Sequence, residues 1–233
     1  MPARTHTLAL TLACSAVLSA TAAAQSVAVF GAAEGTGNNT SIYLIGANLS
    51  ASGLGWKPEV GATAYELHFP GTDRGVFEPH VGLVNSMADQ SLGFSVGYAF
   101  ASTNTNVAAL VPGQSGRGVV VSGDWDYWDN NRKAAQLLGS YNFGDNGFWG
   151  RGRASRPVHV GSPLWFGGEA VLLGETQSPS VWAAQLGPTL EYRFSPQFRL
   201  GGSGGVQFGL GSNGGPGTTG YLQVEFLWLP TQK

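Results

Sequence analysis

The chain of 233 residues holds a single cysteine, Cys14, close to its start. It has no second thiol for a disulfide, and once the leader described below is removed it offers no thiolate nucleophile or thiolate metal site. Charge is scarce too: Asp, Glu, Lys and Arg make up 11% of the residues, well under the roughly 25% of an ordinary soluble domain. A formal net charge of −2 leaves no basic surplus to track a phosphate backbone, so nucleic acid is excluded as a partner. Beyond the leader no apolar run approaches the about 18 residues of a spanning helix, and no 3.6-residue stripe is sustained.

What is abundant is glycine, 36 residues, without the three-residue period of collagen. Hydrophobic residues at 42% and aromatics at 11% rule out a disordered chain. Arg4, the apolar stretch Leu8 to Ala22, and Ala22-Ala23-Ala24 before Gln25 form the three parts of a secretory signal peptide. Residues 1–24 therefore read as a leader, and residues 25–233 as the exported domain.

That domain alternates. From Val181 to Phe194, Trp182, Ala184, Leu186, Leu190, Tyr192 and Phe194 interleave with Ala183, Gln185, Thr189, Glu191 and Arg193. The same period of two sets Leu92, Phe94, Val96 and Tyr98 against Gly93, Ser95 and Gly97, and Leu222, Val224, Phe226 and Trp228 against Tyr221, Gln223 and Glu225. About twelve such segments of roughly ten residues can be counted, the length of tilted membrane-crossing strands. They span 26–33, 41–51, 55–69, 77–85, 91–101, 118–128, 133–143, 148–154, 163–173, 181–194, 198–210 and 219–229. The first and eighth are short, so the range is 10–12. The expected fold is all-β: a transmembrane antiparallel up-and-down β-barrel, closed because an open sheet edge in hydrocarbon leaves N–H and C=O groups unpaired. A soluble secreted β-sandwich shares the alternation but not polar residues in strand interiors with aromatics gathered at segment ends.

Parity assigns Asp124, Asp126, Arg151, Arg153, Glu169, Glu191, Arg193, Arg199 and Glu225 to the lumen. Pairing Phe194 with Phe198 sets Arg193 opposite Arg199, a like-charge pair that needs an acid such as Glu191 or Glu225, or an anionic ligand, between its members. Pairing Phe143 with Phe148 makes Asp145-Asn146 a two-residue hairpin tip and brings Asp124 and Arg153 both beside Leu138. Pairing Phe69 with Phe77 sets His68 opposite Glu78 and Glu66 opposite His80, four ligands chemically adequate for a divalent ion. Gly201-Gly202-Ser203-Gly204-Gly205 matches the nucleophile-elbow spacing, but alternation runs straight through it, so no catalytic residue is assigned and no cofactor is called for.

The stretch Gly139-Ser140-Tyr141, Phe148-Trp149-Gly150-Arg151-Gly152-Arg153, Gly167-Gly168-Glu169 and Leu173-Gly174 resembles the BcsS family of barrels associated with bacterial cellulose synthesis, over residues 139–194. The resemblance implies a place near exopolysaccharide export, with Trp149, Arg151, Arg153 and Glu169 as positions a glucan would contact. The expectation is a non-enzymatic outer-membrane barrel with a polar lumen, structural or a narrow conduit. Its partners would be outer-membrane lipids, the barrel insertion machinery, and a polysaccharide or small solute. The alternatives are a barrel enzyme acting on lipid or envelope polymer, and a soluble secreted binding module.

Overall fold

The computed structural model describes residues 25–69, 72–102, 117–129, 132–176, 182–209 and 217–229. Residues 1–24, expected as a leader, most of the 102–117 connection and the tail after Leu229 lie outside the described residues. The strands are β1 (Gln25–Thr36), β2 (Ser41–Ala51), β3 (Gly55–Phe69), β4 (Thr72–Ser86), β5 (Gln90–Ser102) and β6 (Gly118–Asp129), then β7 (Lys133–Asn142), β8 (Gly147–Pro157), β9 (Leu164–Glu175), β10 (Trp182–Arg193), β11 (Phe198–Gly209) and β12 (Thr219–Trp228). Each pairs antiparallel with its neighbours in sequence, and β1 also pairs with β12, so one sheet closes into a ring. Closure leaves no strand edge, which hydrocarbon requires. The rim where β1 begins and β12 ends is called the terminal rim below, and the opposite one the far rim.

Successive side chains of a strand point to opposite faces, and the ladder carries that parity around the ring. On β10, Leu186 and Leu190 are 54% and 53% exposed on the outside, whereas Gln185 and Thr189 are 3% and 5% exposed within. The outer wall is apolar between two aromatic bands. Tyr192, Phe194, Phe198 and Trp228 stand at the terminal rim. Tyr43, Tyr98, Phe100, Tyr141 and Phe143 stand at the far rim, as expected of membrane-interface girdles.

Two ladders skip residues, at Pro79 on β4 and Pro188 on β10, where proline has no N–H to donate. At the second gap the backbones come close: a Cβ on Gly205 would fall 2.7 Å from Gly187 Cα.

Two registers differ from the sequence reading. Asn142 pairs with Gly147, so the β7–β8 turn has four residues, not two. The Asn142 carboxamide accepts from Gly144 N at 2.8 Å, and the Asp145 carboxylate accepts from Gly147 N at 3.0 Å. These side-chain-to-backbone bonds, with Asn146 at φ 54°, hold the wider loop. The second difference is between β3 and β4: Phe69 pairs with Thr72, not Phe77, and β4 begins five residues earlier, in a stretch read as loop.

Twelve strands about 4.8 Å apart and tilted near 40° close a round cylinder roughly 24 Å across. Leu67 on β3 and Leu173 on β9 come from opposite sides of the ring yet pack side chain to side chain. Two leucines cannot bridge such a diameter, so the cross-section is flattened, with β8–β10 drawn toward β12–β3. Leu67, Ile42, Tyr65 and Leu173 form one apolar layer inside the far rim, and Val76, Ala99, Ala101 and Val120 continue it along β4–β6.

Candidate functional site

The lumen is the only polar interior the described residues build, and the ladder fixes what lines it. Asp124 and Asp126 on β6, Trp149, Arg151 and Arg153 on β8, Glu169 on β9, Glu191 and Arg193 on β10, Arg199 on β11 and Glu225 on β12 all share the inner face. Glycine and alanine alternate with the β8 arginines on the outside, so the arginines have one direction in which to reach.

They reach across. Arg151 Nη1 donates to Glu225 Oε2 at 2.9 Å, and Arg153 forms a second ion pair with the same carboxylate. Arg153 Nη2 also donates to Glu169 Oε2 at 2.7 Å, a cross-strand pair set by the register Arg153↔Glu169. Tyr221 Oη donates to the other oxygen of Glu169 at 3.1 Å. Arg151 Nη2 donates to Gln136 Oε1 at 2.8 Å, and Gln136 Nε2 donates to Asp126 Oδ1 at 2.8 Å. The chain Asp126, Gln136, Arg151, Glu225, Arg153, Glu169, Tyr221 thus laces β6, β7, β8 and β9 to β12. Nearer the far rim Gln185 Nε2 donates to Glu34 Oε1 at 2.6 Å, tying β10 to β1. These bonds between non-adjacent strands agree with the flattened section.

Arg193 stands opposite Arg199. Their repulsion is relieved on one side, because Arg193 pairs with Glu191 and its guanidinium lies 3.4 Å from the Trp165 ring centre. Arg199 has no ion pair among the described residues; its field meets Asp126 across the lumen. Glu225, the other expected partner, is taken by β8.

Arg153 lies beside Gln136, not Leu138, because the four-residue turn moves β8 by two residues along β7. Asp124 and Arg153 are therefore not partners, and Asp126 reaches Arg151 through Gln136 instead. The four proposed metal ligands are also separated. The register of β3 on β4 gives odd pair sums, Thr63↔Glu78 and Gly61↔His80, so Glu66 and His68 share the outer face while Glu78 and His80 point inward. Glu66 and His68 stay 3.8 Å from each other, with His68 edge-on to Tyr43. Among the described residues no group of three metal-type ligands forms. The nucleophile-elbow match lies mid-strand in β11, where Ser203 donates to Gln223 at 3.2 Å.

Among the charged lumen residues that escaped the sequence reading are Glu34, Lys57 and Glu59. The signal for the last two was present, since Trp56, Pro58 and Val60 alternate with them; Glu34 falls beyond the end assigned to the first strand. Lys57 is buried and donates to Ser86 Oγ at 3.2 Å and to Gly53 O, while Asn48 Nδ2 donates to Glu59 at 3.2 Å and its Oδ1 lies 3.2 Å from His80 Nε2.

A closed twelve-strand antiparallel ring, oily outside and charged within, defines the fold class of outer-membrane barrel porins. Solved structures agree. The KdgM porin superposes with a TM-score of 0.51 at 10% identity, covering 86% of this chain and 98% of its own. An outer-membrane channel from Pseudomonas putida F1 gives 0.57 at 11% identity, covering 88% and 95%. The KdgM porin in complex with disordered oligogalacturonate gives 0.52 at 11%, covering 86% and 98%. At such identities the likeness is one of fold. No protein-family profile and no curated protein sequence matches the chain, so the resemblance of residues 139–194 to BcsS gains no support there.

Proposed function

We propose that the protein is an outer-membrane barrel, exported by the leader 1–24, and that it serves as a narrow conduit for small polar solutes rather than as an enzyme. The observation that carries this reading is the lumen itself: charged and hydroxyl side chains line every strand on one face, while the other face is apolar between aromatic bands. A structural plug would be stabilised better by an apolar filling, since well-packed hydrophobic residues commonly replace interior ion pairs without loss. The KdgM porin, bound in one of its structures to oligogalacturonate, supports a saccharide or small-solute cargo. A link to exopolysaccharide export rests on the resemblance of residues 139–194 alone. The ion-paired chain makes Arg151, Arg153, Glu169 and Glu225 the walls of the constriction. Single-channel recording of the detergent-folded protein in planar bilayers is the test, after heat-modifiable gel mobility has verified a folded barrel. Small, discrete conductance steps are expected. A folded barrel that passes no current, or a chain that stays in the aqueous phase without detergent, overturns the reading.

A further inference from the structure

Both the lacing and the accessibility of the lumen are lopsided. At mid-height the polar lumen residues of β9–β11, namely Glu169, Gln185, Thr189, Ser203 and Gln207, are buried at 3–6% exposure. On the β3–β6 wall at comparable depth, Glu59, Glu78, Ser95, Ser122 and Asp124 all keep accessible surface. Glycines explain the room. A Cβ on Gly93 would fall 2.8 Å from Asp124 Cγ, and one on Gly97 would fall 3.0 Å from His80 Cβ. Without those Cβ atoms the side chains of Asp124 and His80 fold back against the wall and leave the space in front of them free. The bonds on this side are short-range: Glu59 accepts from Asn48 of the adjacent strand, His80 reaches Asn48 over the single strand between them, and among the described residues neither Glu78 nor Asp124 meets an arginine or lysine.

The charge balance is as uneven as the space. Arg151, Arg153 and Arg193 are matched by Glu169, Glu191 and Glu225. Lys57, on the β3 part of this wall, turns its ammonium to Ser86 and Gly53 at the terminal rim. The carboxylates of Glu59, Glu78 and Asp124 are left without a counter-charge among the described side chains, on a wall where each of them keeps accessible surface.

The geometry points to an off-axis, cation-selecting bay on β3–β6 as the water-filled part of the lumen, lined by Glu59, Glu78 and Asp124 and bounded toward the far rim by Val76, Ala99, Ala101 and Val120. As a description of what passes, this rests on the conduit reading above; as a description of where water and cations stand, it does not. A low-dielectric wall focuses the field of such carboxylates and concentrates counter-ions in front of them.

Cysteine labelling separates the two claims, because the chain after the leader has no cysteine of its own. Ser122→Cys, with Ser95→Cys as a second position should the first not fold, is exposed in the detergent-folded barrel to a trimethylammonium methanethiosulfonate and to its anionic sulfonate analogue. Thr189→Cys and Ser203→Cys serve as the opposite wall. Labelling of Ser122→Cys is expected about tenfold faster with the cationic reagent than with the anionic one, consistent with field focusing. That ratio should shrink toward unity in Asp124→Asn/Glu59→Gln, and the opposite-wall cysteines should stay unlabelled on the same timescale. Equal labelling on both walls, or equal rates for the two reagents, overturns the bay. Absence of current from a barrel that still labels in this pattern overturns the conduit instead.

Discussion

Glu225 is the keystone of the lumen, and Glu225→Ala tests the lacing most directly. Its carboxylate receives Arg151 at 2.9 Å as well as Arg153, and the side chains of Glu225, Arg151 and Arg153 are 17%, 12% and 11% exposed. Removing it leaves Arg153 with Glu169 and leaves Arg151, whose Nε is already unpartnered among the described residues, with only the Gln136 carboxamide. Deleting one partner of a buried pair costs about 3–5 kcal/mol because a charge remains uncompensated. Since Arg153 keeps a carboxylate, the lower end applies, about 3 kcal/mol. Glu225→Gln keeps one accepting oxygen and sets an NH2 donor where the second stood, so it loses the charge and one of the two arginine contacts and should cost somewhat less than Glu225→Ala. Adding Arg151→Met to Glu225→Ala removes the orphaned cation and should restore at least about 1 kcal/mol, a coupling measurable in a double-mutant cycle. Urea unfolding in lipid vesicles, followed by tryptophan fluorescence and gel mobility, gives the free energies. A loss below about 1 kcal/mol for Glu225→Ala would place the pair with solvent-screened surface bridges and refute a laced, dry half-lumen.

Three further outcomes follow from the same geometry. Leu67→Ala empties a fully buried site between opposite walls and should cost about 2–4 kcal/mol in the same unfolding assay, with a rise in conductance as the apolar layer opens. Gly205→Ala forces a Cβ against the β10 backbone at the proline gap, where neither atom is a flexible side-chain end; a loss of about 1–3 kcal/mol is expected, and an unchanged midpoint would disprove the close approach. Arg199→Glu adds a carboxylate to a lumen whose unmatched charges are already acidic, so the reversal potential in a salt gradient should move further toward cation preference.

The strands were legible because the membrane imposes a simple rule. Each crossing must alternate, and the segments from 41–51 to 219–229 could be read almost to their observed ends; β1, β4 and β8 alone were cut short by more than two residues at one end. Register was legible where side chains decide it. Phe194 and Phe198 both need the outer face, and a short polar turn between them admits one pairing, so Arg193 was correctly set against Arg199. It was not legible at Phe143 and Phe148, because Asn142 and Asp145 bond to the turn's own backbone and stabilise a loop two residues longer. That slip preserved which face each residue takes and changed only who meets whom. The error at Phe69 was of another kind: an odd pair sum moves half of a proposed cluster through the wall.

Pairing across the lumen was beyond what alternation encodes. Parity names the residues that face inward, but whether Arg153 meets Asp124 or Glu225 depends on the shape of the ring, and a round barrel would let β8 reach neither β12 nor its carboxylate. The flattening supplies that contact, and its cause lies in residues that look unremarkable in sequence. Leu67 and Leu173 are apolar residues on the inner face, where they break the polar-in pattern. Inside a barrel this size, two inward leucines on opposing strands remove each other from water only if the walls approach. That approach is what brings Arg151 and Arg153 within hydrogen-bonding range of Glu225, while Arg193 is taken by Glu191 on its own strand. The acids of β4–β6, on the curved end of the flattened ring, and Glu59 beside them on β3 are then left without an arginine partner among the described side chains. An exception to the alternation thus governs the electrostatics of the whole interior, and Leu67→Ala should loosen the Glu225 ion pairs as well as the apolar layer, so that its cost combines with that of Glu225→Ala less than additively.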